Sequence, residues 1–145
     1  MRGYVRKALE LSPDSAGALL MLGWLNAAEG RLGEAVKAAD EAIGISDEAW
    51  FRGFQAQIYA LAGLKDRARE VLDGLLSNRF KGYPSPAQIG VVYYILGEKD
   101  EGFHWMEKAY NARDTSLAMN NNLPALKAAR EDKRFIELLG RMGLS

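Results

Sequence analysis

The chain has no cysteine, one histidine and four prolines in 145 residues. The missing cysteine rules out disulfides, thiolate chemistry and Cys-based metal sites, and it fits a reducing compartment. Charge of one sign is missing too: Lys+Arg and Asp+Glu both number 19. A general attraction to nucleic acid or anionic lipid needs a basic excess, so neither is expected as a partner. No apolar run reaches the about 18 residues of a membrane span. The most apolar stretch, Ala16–Ala28, is shorter and runs into "EGR". The first residues lack the apolar core of a signal peptide. A cytoplasmic address is the expectation.

Chemistry is scarce as well. His104 follows Asp100 and Glu101 by four and three residues, which puts carboxylates beside an imidazole on one helix face. A catalytic or metal centre needs further ligands or a nucleophile in reach. His104 is therefore read as a surface residue among solvated charges. "EKDE" and "REDKR" read as solvated turns and helix starts, and the glycines lack the spacing of a phosphate loop. No catalytic residue, metal site or cofactor is expected, and the chain is not expected to be an enzyme.

What the chain does have is a period. Gly30, Gly63 and Gly97 are spaced 33 and 34 residues apart, and so are the small residues Ala35, Ala68 and Gly102. Seven residues beyond each small residue stand Ala42, Leu75 and Ala109. The glycine ends one helix, where a left-handed backbone suits only Gly. The small residue lets a second helix cross the first closely. Apolar residues recur at helical spacing upstream of the glycines: Ala18, Leu19, Leu22, Leu25 and Ala28, then Ile58, Leu61 and Ala62. Each unit is read as a helix, a tight turn and a second, antiparallel helix.

These residues resemble the tetratricopeptide repeat. Leu19, Leu22-Gly23, Gly30, Ala35, Ala39, Ala42 and Ser46-Asp47 occupy its slots in the first full unit. Ala56, Tyr59, Gly63, Ala68, Leu72 and Leu75 do so in the second, and Ile89-Gly90, Tyr93, Gly97, Gly102, Met106 and Ala109 in the third. The resemblance implies an all-α fold, a right-handed α-solenoid of antiparallel helix pairs with a C-terminal capping helix. The expected divisions are 1–15 as the second helix of an incomplete repeat, repeats at 16–48, 49–82 and 83–116, and a cap over 117–145. Val5, Ala8 and Pro13 fall in late slots of the pattern, which suggests a chain cut from a longer protein or an end covered by a partner. Ser12 would cap the next helix, and Ser85, ahead of Pro86, the first helix of the third unit.

Helices are expected near Leu123–Ala129 and from about Asp132 to Met142, with Leu126, Phe135, Leu138, Leu139 and Met142 forming an apolar face. Residues 97–144 are also similar to the tails of large bacterial proteins, in which such repeats follow a winged-helix, nucleotide cyclase or Ser/Thr kinase effector.

In this family the first helices line a concave face. The family register puts Leu20, Trp24, Trp50, Gln57, Leu61, Val91 and Tyr94 there, an apolar and aromatic groove. Some relatives grip a terminal carboxylate with Lys, Arg and Asn; here Leu20, Trp24, Phe54 and Gln57 fill those slots, so acidic tails are not expected. An amphipathic helix or an extended apolar peptide suits such a groove, with Trp24, Trp50 and Tyr94 as anchors. The same aromatics also suit inter-helix core, and the C-terminal helix or a second copy could fill the groove. The connection Ser77–Pro86 carries Arg79, Phe80, Lys81 and Tyr83, which either bind or pin the loop to the helices beneath.

Two functions follow. One is a protein-binding module that holds a protein, a peptide or another domain of its parent chain, or forms a homo-oligomer. The other is the C-terminal regulatory or sensory domain of a bacterial transcription regulator or signalling enzyme.

Overall fold

Ser15 Oγ accepts a hydrogen bond from the Ala18 amide at 3.2 Å, and the first described helix starts on that cap. The computed structural model describes residues 15–112 and 132–141. Among them are seven α-helices and no strand: α1 Ala16–Ala28, α2 Leu32–Ile45, α3 Ala49–Leu61, α4 Lys65–Leu76, α5 Pro86–Ile95, α6 Lys99–Asn111 and α7 Lys133–Arg141. The chain divides into two units, Met1–Pro84 and Ser85–Ser145. The helix expected within residues 1–15 and the one near Leu123–Ala129 lie outside the described residues; the cap of the following helix is Ser15, three residues beyond the expected Ser12.

The turns fall where the glycine spacing predicts. Gly30, Gly63 and Gly97 take φ of +83°, +80° and +93°. Each is followed by an amide that reaches back five residues: Arg31 to the Asn26 carbonyl at 2.8 Å, Leu64 to Tyr59 at 2.9 Å and Glu98 to Tyr93 at 2.9 Å. This is the Schellman closure, which satisfies carbonyls that a helix end would otherwise orphan. Asn78, at φ +54°, does the same after α4 without a glycine, and the Arg79 amide meets the Gly74 carbonyl at 3.0 Å.

In the first unit α1 pairs with α2 and α3 with α4, and α3 packs on both α1 and α2. Small residues set the approach. Ala35, Ala39 and Ala42 of α2 are fully buried beside Leu19, Leu20 and Ile58. A Cβ on Gly23 would lie 3.0 Å from the Ala35 carbonyl oxygen, so α1 and α2 approach backbone to backbone there. The same slots recur as Ala68, Leu72 and Leu75 in α4, all buried. Of the apolar stripe expected on α1, Leu19 is buried, but Leu22 and Leu25 are half-buried and Ala28 is exposed; the face toward the core runs through Ala16, Leu20, Gly23 and Asn26 instead. α1 is apolar nearly all round, so periodicity alone does not select its inner face.

In the second unit α5 pairs with α6. Ser85 caps α5 ahead of Pro86, accepting from the Gln88 amide at 3.3 Å. Gly102, Met106 and Ala109 line the buried side of α6. α7 lies against α6 and is capped by Asp132, whose Oδ1 accepts from the Arg134 amide at 2.9 Å. Arg134 reaches Asp100 at 2.7 Å and lies 4.3 Å over the Phe103 ring. One heptad on, Arg141 pairs with Glu107 and lies 4.9 Å over the Tyr110 ring. Both pairs step in the same chain direction, so α6 and α7 run parallel. Between them Leu138 is buried to 1% exposure. The second helices start at Leu32, Lys65, Lys99 and Lys133. The start of α7 therefore keeps the spacing of α2, α4 and α6.

Candidate partner-binding surface

The residues expected to line the groove divide by burial. In the first unit Leu20 is 3% exposed and belongs to the core cluster with the α2 alanines. Gln57 is wholly buried, and neither of its amide atoms has a hydrogen-bond partner. Trp24 and Leu61 are half-buried. Trp50, in the first turn of α3, is the large aromatic left open, at 39% exposure. It meets Phe54 edge-on at 5.5 Å between ring centroids, and Phe54 in turn packs on the core cluster.

In the second unit Val91 is fully buried and Tyr94 is 6% exposed. The Tyr94 ring packs edge-on against Phe103 of α6 at 5.9 Å, and its backbone and Cβ stand against Gly102. Burial, followed by the charge of Asp132, pushes its hydroxyl pKa up. Tyr94 is thus inter-helix core, not an open anchor. The same correction applies to Leu20 and Val91. These side chains fill space between helices, and only a wider helix spacing would free them.

In the connection between α4 and α5 the two aromatics behave differently. Phe80 is pinned: its ring sits where a Cβ on Gly74 would stand, 2.6 Å from Cε2. The Ala49 amide donates to the Lys81 carbonyl at 2.7 Å, tying the same stretch to the start of α3. Tyr83 is 96% exposed.

A polar cluster that no sequence spacing signals joins α2 and α3. Tyr59 donates its hydroxyl to Asp40. Gln55 Nε2 donates to Asp40 at 3.1 Å and to the Tyr59 hydroxyl at 3.0 Å, and its Oε1 accepts from Arg52 at 2.9 Å. Arg52 completes the chain with a two-pronged grip on Asp47, at 2.7 and 2.8 Å. The Arg52 hydrogen bonds hold the Asp47 carboxyl below its ordinary range, and Asp47 raises Arg52 in return. Burial and the bond to Asp40 push Tyr59 up to about 12. Its hydrogen-bond partners lie 4 and 19 residues away in sequence, and only the hairpin stacking brings Asp40 to it.

His104 is exposed on α6, with the Trp105 ring 6.4 Å away. Among the described residues no group of three His, Asp or Glu side chains could hold a metal, and no described helix is long and apolar enough to cross a membrane.

Residues 16–48, the α1–α2 hairpin with its flanks, match the family model for the tetratricopeptide repeat. No curated protein and no solved structure matches the chain. Tetratricopeptide repeats stack helix pairs into protein-binding surfaces.

Proposed function

We propose that this chain, whose residues 16–48 are a tetratricopeptide repeat, is a protein–protein interaction module that grips a partner peptide on the first-helix side of its first unit. Trp50 carries the proposal. It is a large aromatic left 39% exposed at the start of α3 and braced edge-on by Phe54. Bracing matters because a rigid aromatic loses little conformational freedom on binding, and such residues dominate interface energies. Trp24, half-buried on α1, is the second contact; α1 and α3 pack on each other within this unit. An apolar side chain of the partner would bury itself against Trp50.

A displayed random-peptide library selected on the full chain tests this. The expected result is enrichment of peptides with at least one large apolar side chain, bound by the wild type and by Glu41→Ala on the exposed side of α2, and lost on Trp50→Ala. Absence of enrichment, or equal binding by Trp50→Ala, overturns it. Self-association that competes with the peptides would make the partner a second copy of the chain.

A further inference from the structure

A cleft of about 370 Å3 opens on the α3–α4 hairpin, away from Trp50 in the residues it uses. Its walls include the Tyr59 and Phe80 rings and three arginines, Arg52, Arg67 and Arg79, with Glu70 as the one carboxylate. Its size falls within the lower range of small-ligand sites.

The walls are held in place before any ligand arrives. Tyr59 is fixed by Asp40 and Gln55, and Arg52 by Asp47 and Gln55. Phe80 sits over Gly74, with the Arg52 guanidinium 4.6 Å from its centroid. Arg52 is neutralised by its Asp47 partner. Arg67 and Arg79 are not: among the described residues neither side chain has an ion pair or a hydrogen bond, and Arg67 only faces the Tyr59 ring at 5.6 Å. Against them stands Glu70 alone. The open charge is cationic, and it borders two aromatic faces.

We propose that this cleft is a second binding site, for a phosphate monoester carried on a flat or apolar stem. Arg67 and Arg79 come from different elements, so two forked contacts need at least three oxygens, one of them shared. The three terminal oxygens of a phosphate monoester serve two forks, and its charge of about −1.5 to −2 outweighs Glu70. A carboxylate has two oxygens and one charge. The stem packs between Tyr59 and Phe80.

The probes are phenyl phosphate, inorganic phosphate and benzoate, titrated into the full chain and followed by calorimetry and by amide shifts. Phenyl phosphate is expected to bind at least about tenfold more tightly than either of the others, since it alone uses both the forks and the rings. Arg67→Gln and Arg79→Gln, both at exposed positions, each weaken it about tenfold or more, while Lys37→Gln on α2 leaves it unchanged. Phe80→Ala weakens phenyl phosphate and spares inorganic phosphate. A phosphotyrosine peptide that binds more tightly than phenyl phosphate assigns the group to a protein side chain; equal binding assigns it to a small molecule. The proposal fails if phenyl phosphate does not bind at millimolar concentration, if benzoate matches it, or if the arginine variants bind as the wild type does.

Discussion

Gly90 and Gly102 face each other where α5 crosses α6. A Cβ on Gly90 would stand 2.8 Å from the Gly102 carbonyl oxygen, and a Cβ on Gly102 would stand 3.0 Å from the Gly90 carbonyl oxygen. The obstacles are backbone atoms, so no rotamer change relieves them. Alanine at either position gains about 1 kcal/mol of helix propensity but forces the helices apart. The expected net loss is about 1–2 kcal/mol for each single variant in urea unfolding. The double variant should lose less than the sum, because one separation relieves both clashes. Additive losses would mean the helices do not meet there.

The seat of α7 on α6 rests on Leu138 more than on the arginines around it. Leu138 is buried to 1%, whereas Asp100 and Arg134 keep side-chain exposures of 95% and 49%. Leu138→Ala is expected to cost about 2–3 kcal/mol. Arg134→Gln and Arg141→Gln should instead speed hydrogen exchange of α7 at low salt only. At about 1 M salt, where screening acts over about 3 Å, their exchange should match the wild type's.

The Asp40–Tyr59–Gln55–Arg52–Asp47 chain makes stability depend on pH at both ends. Asp47 has a lowered pKa in the folded state. Its contribution is present above the unfolded carboxyl value, about 4, and is lost as pH falls through the folded value. Denaturant midpoints measured downward from about pH 5 should fall more steeply for the wild type than for Asp47→Asn.

Tyr59 works in the opposite sense. Its folded pKa is raised to about 12, so its contribution is complete below about pH 10 and is lost as pH climbs from there through the folded value. Phenolate absorbance should show a late-titrating tyrosine in the native protein that Tyr59→Phe removes.

Much of the fold is legible in the residues. Gly30, Gly63 and Gly97 mark the turns because a positive φ is costly for other residues. Ser85 and Asp132 mark helix starts because their side chains fit the first orphan amides. Asn78 gives no such signal, since asparagine adopts the same conformation without a glycine. The candidate surface was far less legible. α5, "PAQIGVVYYI", is apolar nearly all round, so its spacing does not tell the side of Val91 and Tyr94 that meets α6 from an open one. Register placed Gln57 on a groove, but nothing in the spacing foretells that its amide is buried without a partner. Asp40 and Tyr59 meet across 19 residues, a distance that only stacked hairpins close.

The most direct test of the binding role is the affinity of one library-selected peptide for the wild type and for Trp50→Ala, measured beside each protein's stability. The predicted result is a loss of about 2 kcal/mol or more in binding, roughly thirtyfold, with stability changed by less than about 1 kcal/mol. Unchanged affinity, or a Trp50→Ala chain that no longer folds, would contradict it and make Trp50 a packing residue.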